Sequence, residues 1–114
     1  MIFRLSSYKK RHKIIVGDNF MRILLVEDDK NLGCGIKTLL EIDGYEVDLA
    51  ETGIEAIDEV KYGASQYDVV LLDWMLPELS GIDVCKWLRD IKKGHYTGGI
   101  VFLTAKSELD DCVQ

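Results

Sequence analysis

With 114 residues, 47% of them hydrophobic and 30% charged, the chain has the size and balance of one globular domain with a modest core. One proline and ten glycines exclude a collagen-like or proline-rich chain, and no run approaches the roughly 18 apolar residues of a membrane span. The net charge of −6 is unevenly spread: residues 1–20 hold Arg4, Lys9, Lys10, Arg11 and Lys13 against Asp18, a balance of +4, while residues 21–114 hold nine basic and nineteen acidic side chains, a balance of −10. Such an acidic body repels phosphates, which argues against direct nucleic-acid binding, and it suits a pocket that gathers carboxylates around a divalent cation.

Residues 1–20 form a basic extension without a clear period, expected to be poorly ordered, with Ile14–Val16 as a short extended piece and Gly17–Asn19 as a turn. The opening Met1–Leu5 is too short for a secretory signal and a basic run follows it, so a cytoplasmic location without membrane contact is expected. Met21 directly precedes the first strand signal, so a natural start there is one hypothesis, beside the favoured reading of residues 1–20 as a floppy tail. Arg22–Val26 is a continuous apolar run ending in acids, the pattern of a strand buried on both faces. Leu32, Ile36, Leu39 and Leu40 then fall at helical spacing, and Gly44 stops that helix. Tyr45–Ala50 alternates like a half-exposed strand. Thr52 and Glu55 make a capping box that opens a helix with Ile54, Ile57 and Val60 on one face.

Val69–Leu72 is a second continuous apolar run and ends at Asp73. A loop with Pro77 and Gly81 leads to a helical face of Val84, Trp87, Leu88 and Ile91. Ile100–Leu103 is a third run, ending at Thr104, and Ser107 or Asp110 is placed to start another helix. Strands alternating with helices imply an α/β fold, an open doubly wound parallel sheet with helices on both faces. Cys34, Cys85 and Cys112 are odd in number and widely spaced, and neither His12 nor His95 has metal-ligand spacing to them, so reduced thiols are expected.

The chemistry concentrates at strand ends. Glu27, Asp28 and Asp29 follow the first strand, Asp73 the third and Thr104 the fourth. In open α/β sheets ligands bind outside the carboxyl ends of the strands, where the strand order reverses. If the first and third strands are neighbours, their acids share one crevice and repel each other unless a cation sits among them. Oxygen-only ligands favour Mg²⁺, which neutralises charge on phosphoryl oxygens. A carboxylate can itself be the nucleophile and form an aspartyl phosphate. The residues thus point to Mg²⁺-assisted phosphoryl transfer. Asp29 or Asn31 is also expected to cap the following helix. Trp74 is read either as a neighbour of the metal or as surface packing, and Trp87 as helix packing.

Ile23–Asp29, then Asp73–Gly81, then Phe102–Ala105 resemble the signature of bacterial two-component response-regulator receiver domains, with the match running from about Met21 to the end. The resemblance implies a flavodoxin-like strand order of 2-1-3-4. It implies that Asp73 accepts a phosphoryl group from a sensor histidine kinase. It makes Glu27, Asp28, Asp73 and the backbone carbonyl of Met75 the Mg²⁺ ligands. Thr104 would contact the phosphoryl group and act as the switch, and the backbone N–H groups of Met75 and Ala105 would meet phosphoryl oxygens. The Ile23–Asp29 and Trp74–Pro77 segments resemble regulators with winged-helix DNA-binding effectors, which implies an ancestral role in transcription.

The chain departs from that family after Thr104. The family continues through a helix, a strand ending in a phosphate-pairing lysine, and a last helix, and Lys106 is too close to Thr104 to replace that lysine. Residues 21–114 are therefore expected to be a receiver domain incomplete at its C-terminal end, with the fourth strand an open edge that invites a homodimer or segment exchange. Two other readings stay open. One is a truncated receiver that binds a kinase or partner without being phosphorylated. The other is an aspartyl-phosphate phosphohydrolase, which needs an acid two residues after the nucleophile, where Met75 stands. A flavodoxin-type cofactor protein lacks support, because no phosphate-cradling loop follows the first strand.

Overall fold

The computed structural model describes residues 20–63 and 66–103. In chain order these form β1 (Arg22–Val26), α1 (Lys30–Ile42), β2 (Glu46–Ala50), α2 (Gly53–Tyr62), β3 (Val69–Asp73), α3 (Gly81–Arg89) and β4 (Gly99–Leu103). All strand pairs are parallel and the order is β2-β1-β3-β4. This is the flavodoxin-like arrangement, and it places β1 and β3 side by side in the middle. Their sequences need that position: Ile23, Leu24, Leu25 and Val26 of β1 and Val70, Leu71 and Leu72 of β3 are all buried, which requires cover on both faces.

The alternation along each strand splits the core in two. One cluster joins Leu24, Val26, Val70 and Leu72 to Ala56 and Ile57 of α2 and to Val84 and Leu88 of α3. The other joins Ile23, Leu25 and Leu71 to Leu40 of α1 and to Tyr45 and Val47. β2 is half exposed, as its alternation predicts, with Val47 and Ala50 buried and Glu46 and Asp48 exposed. β4 is an edge among the described residues, and its Val101 is 45% exposed.

The helical faces differ in detail from the sequence expectation. In α1 the buried residues are Gly33 and Leu40, with Ile36 partly buried, whereas Leu32 and Leu39 are each 52% exposed. In α2 the buried stripe is Gly53, Ala56 and Ile57 with Val60 beside it, and Ile54 faces outward. In α3 Val84 and Leu88 are buried and Trp87 packs against the same cluster, but the helix closes at Arg89, leaving Ile91 exposed in the turn that follows. In α1 and α2 the close contacts fall on small residues, and large apolar side chains one position away are displaced outward, whereas in α3 Ile91 is exposed because the helix ends before it. Gly33 illustrates the closeness: a Cβ there would meet Leu49 Cδ1 at 3.0 Å.

Candidate functional site

The parallel register carries the acids to one edge. Ile23 pairs with Val69 and Val26 with Leu72, so the residues that follow each strand emerge together. Glu27 extends the ladder by one step, its N–H donating to the Ala50 carbonyl at 3.0 Å, which fixes where its side chain leaves the sheet. One carboxylate oxygen from each of Glu27, Asp28 and Asp73 lies within 4.8 Å of the other two. These are three of the four residues expected from the sequence to surround a metal. The fourth, Met75, is adjacent: its N–H donates to Asp73 Oδ1 at 3.3 Å, and its side chain is exposed. Thr104 and Ala105 lie outside the described residues.

The three acids differ in environment. Glu27 is buried, Asp73 half-buried and Asp28 exposed. Burial pushes the Glu27 carboxyl up to about 7; the Asp29 N–H bonded to Glu27 Oε2 at 3.1 Å pulls the other way, and the charge of Asp73 adds to the rise. A buried carboxylate crowded by two others is a site in need of positive charge. Opposite donor oxygens around Mg²⁺ sit about 4.2 Å apart. The observed spread of up to 4.8 Å needs only a small inward adjustment to fit. The donor set is all oxygen, which is what a hard cation takes.

Asp29 does not join the cluster. It is the N-cap of α1, Oδ1 accepting from the Leu32 N–H at 3.1 Å, so of the two capping candidates the structure selects Asp29 over Asn31. Thr52 likewise caps α2, accepting from the Glu55 N–H at 3.0 Å.

The loop after Asp73 is held on both sides. The Trp74 N–H donates to the Leu103 carbonyl at 3.0 Å, tying the site to β4, and the Gly81 N–H donates to the Trp74 carbonyl at 3.0 Å. Gly81 has a steric reason to be glycine: a Cβ would run into the Asp73 carbonyl oxygen and lie 3.0 Å from Trp74 Cα. The Trp74 ring meets Phe102 edge-on, with centroids 5.1 Å apart, so packing on β4 accounts for it.

Three contributors went unread in the sequence. Ser80 caps α3, accepting from the Asp83 N–H at 3.2 Å, and its Ser-x-x-Asp spacing was the available signal. Gly33 lets α1 approach, the Cβ of Glu27 lying 3.6 Å from where a Gly33 Cβ would be. Glu78 holds the loop in the left-handed region, φ 65°, for which the sequence carries no distinct signal. Cys34 and Cys85 are free thiols, as expected, and neither lies in the acidic cluster. Among the described residues no helix is long and apolar enough to cross a membrane.

An open parallel sheet with an acidic crevice between its two central strands defines the general class, an α/β domain with its site at the strand switch point. The sequence profile of the response regulator receiver domain matches residues 23–114. The transcriptional regulatory protein DltR of Streptococcus agalactiae serotype III (strain NEM316) is 43% identical over 93 residues, covering 82% of this chain and 39% of DltR. The response regulator RppA of Synechocystis sp. (strain ATCC 27184 / PCC 6803 / Kazusa) is 44% identical over 94 residues, with the same two shares. Among solved structures, the Francisella response regulator 1452 receiver domain superposes with a TM-score of 0.69 at 31% identity, over 82% of this chain and 73% of that one. The non-phosphorylated HemR receiver domain from Leptospira biflexa gives 0.65 at 36% identity, over 82% and 71%. The chain belongs to the response regulator receiver domain family of two-component signalling. It spans about two fifths of the length of these curated relatives.

Proposed function

We propose that Asp73 is the phospho-acceptor and that Glu27, Asp28 and Asp73 hold a Mg²⁺ ion, with the Met75 carbonyl as a further ligand. The observation that carries this reading is the convergence of the three carboxylates within 4.8 Å at the ends of two adjacent strands. A bound Mg²⁺ would supply positive charge to the phosphoryl oxygens and offset the repulsion among the acids. Asp73 supplies the nucleophile. One of its carboxylate oxygens attacks phosphorus as the bond from phosphorus to the imidazole nitrogen of a kinase phosphohistidine breaks, and the electron pair stays on that nitrogen. The N–H of Met75, already directed at Asp73, holds the carboxylate in place for the attack. Thr104 and the Ala105 N–H are assigned to the phosphoryl group as its contact and switch.

On this reading the chain acts in the cytoplasm as a phosphorelay module and not as an enzyme in its own right. Residues 21–114 make up the receiver and residues 1–20 an extension, in keeping with a family match that begins at residue 23. Its partner is a sensor histidine kinase, the kind of protein with which receiver domains interact. Control of transcription is proposed from the relatives whose names carry it.

The test is incubation of the full chain with a small acyl phosphate and Mg²⁺, followed by intact mass measurement. One added phosphoryl group that disappears in Asp73→Asn and on chelation of Mg²⁺ is the expected result. Absence of any added group would overturn it in favour of a binding-only receiver.

A further inference from the structure

The cations of this acidic chain are sorted by position. Among the described residues three are paired: Arg22 with Glu46 and Asp48 at 2.7 and 3.0 Å, Lys30 with Glu51 at 4.0 Å and Lys37 with Glu41 at 3.9 Å. The other five, Lys61, Lys86, Arg89, Lys92 and Lys93, are exposed and form no ion pair with any described residue. These five belong to one region. Four lie within eight residues, on the last turn of α3 and the turn that closes it. Lys61, at the end of α2, joins them across the helix pair, its Nζ 5.4 Å from the Trp87 ring centre. The acid within this stretch, Asp90, is turned onto its own backbone, Oδ1 accepting from the Lys92 N–H at 2.8 Å. Attraction to the C-termini of their own helices accounts for Lys61, Lys86 and Arg89, but not for Lys92 or Lys93.

Apolar surface accompanies the charge. Tyr62 is 72% exposed and Ile91 77%. A cleft of about 390 Å³ opens between Val60, next to Lys61 in the chain, and the 94–98 loop that follows Lys93, and Tyr67 also lines it. It opens next to Asp68 and Gly98, the residues leading into β3 and β4, and so lies at the opposite end of the strands from the carboxylate crevice.

We propose that this face docks an acidic polypeptide segment bearing apolar side chains. Its carboxylates meet the five cations, and one apolar or aromatic side chain enters the cleft beside Tyr96. Charge complementarity selects this partner: the rest of residues 21–114 is strongly acidic, so a nucleic acid, charged along its whole length, would be repelled wherever it passed the edge of the patch. A short peptide confines its charge to the patch. The surface is separate from the Asp73 site, so the proposal stands independently of phosphorylation.

The experiment uses the full chain and a labelled synthetic peptide of alternating Glu-Asp and Leu-Phe pairs, read by fluorescence anisotropy and by amide NMR shifts. Saturable binding, with shifts confined to residues 60–62 and 86–98, is expected. The triple variant Lys86→Gln/Lys92→Gln/Lys93→Gln is expected to weaken binding roughly tenfold, the sum of three exposed contacts. A control that neutralises paired cations, Lys30→Gln/Lys37→Gln, is expected to leave it unchanged. The proposal is overturned by absence of saturation at roughly millimolar peptide, by shifts located elsewhere, by equal loss in the control, or by single-stranded DNA of equal charge binding as well as the peptide.

Discussion

Glu27 is the residue whose environment has the most direct thermodynamic consequence. Its carboxyl titrates at about 7 in the folded chain against an ordinary 4.5, so between those values the native state holds a proton that the unfolded chain has released. Protons therefore favour folding in that window. The stabilisation is complete below about pH 4.5, declines as the pH rises, and is gone above about pH 7. Urea unfolding of the metal-free chain across this range should show the decline, and Glu27→Gln should flatten it relative to the parent. Saturating Mg²⁺ should reverse it, since the cation favours the ionised carboxylate. Tyr67 offers a second residue-scale test. Its hydroxyl lies 2.6 Å from Asp48 Oδ2 and 3.2 Å from Glu59 Oε2, and with one hydrogen to give it donates to the nearer acid, linking β3's entry to β2. Burial, reinforced by both acids, pushes its phenol pKa well up. Tyr67→Phe should lower stability by about 1 kcal/mol, measured by the same unfolding curves.

At the scale of the element, the start of α3 is where local structure and the site are joined. Ser80→Ala removes the cap and should cost about 1 kcal/mol. Gly81→Ala forces a methyl group against the Asp73 carbonyl and should cost about 1–3 kcal/mol while also weakening Mg²⁺ binding, which separates it from the simple loss of a cap. The elements themselves were legible in the sequence, because runs such as Val69–Leu72, short, β-branched at their start and closed by an acid, suit a doubly buried strand. The faces of the helices were less so. Counting large apolar residues nominated Leu32, Leu39 and Ile54, all exposed, and passed over Gly33, Gly53 and Ala56, which are buried. Hydrophobic periodicity weights side chains by size, whereas a close approach, of Gly33 to Leu49 of the sheet or of Gly53 to Val84 of α3, selects smallness. The site was legible for a different reason: acids that end apolar runs must emerge at the sheet edge, and Glu27, Asp28 and Asp73 needed only the adjacency of β1 and β3 to meet. The cap at Ser80 and the strained Glu78 depend on the path of one loop, which periodicity does not describe.

For the whole molecule, a cation that binds only the folded state adds to its stability by mass action, about 2.7 kcal/mol at a hundredfold excess over the dissociation constant. Mg²⁺ should therefore raise the urea midpoint of the parent chain, and that increment should shrink in Asp73→Asn. The arrangement of the strands has a further consequence for the order of events as the chain folds. Every strand pair among the described residues is parallel, so none of these strands can pair first as a hairpin, and the β1–β3 pair joins residues such as Ile23 and Val69, 46 positions apart. Glu27 and Asp73 stay far apart in the chain until that loop closes, and their mutual repulsion arises only once it has. If the loop closes after the rate-limiting barrier, Mg²⁺ will prolong the lifetime of the native state and leave the refolding rate untouched. The ion would then act as a late latch on a structure already assembled, and stopped-flow refolding and unfolding with and without Mg²⁺ would time the closure of the central strand pair.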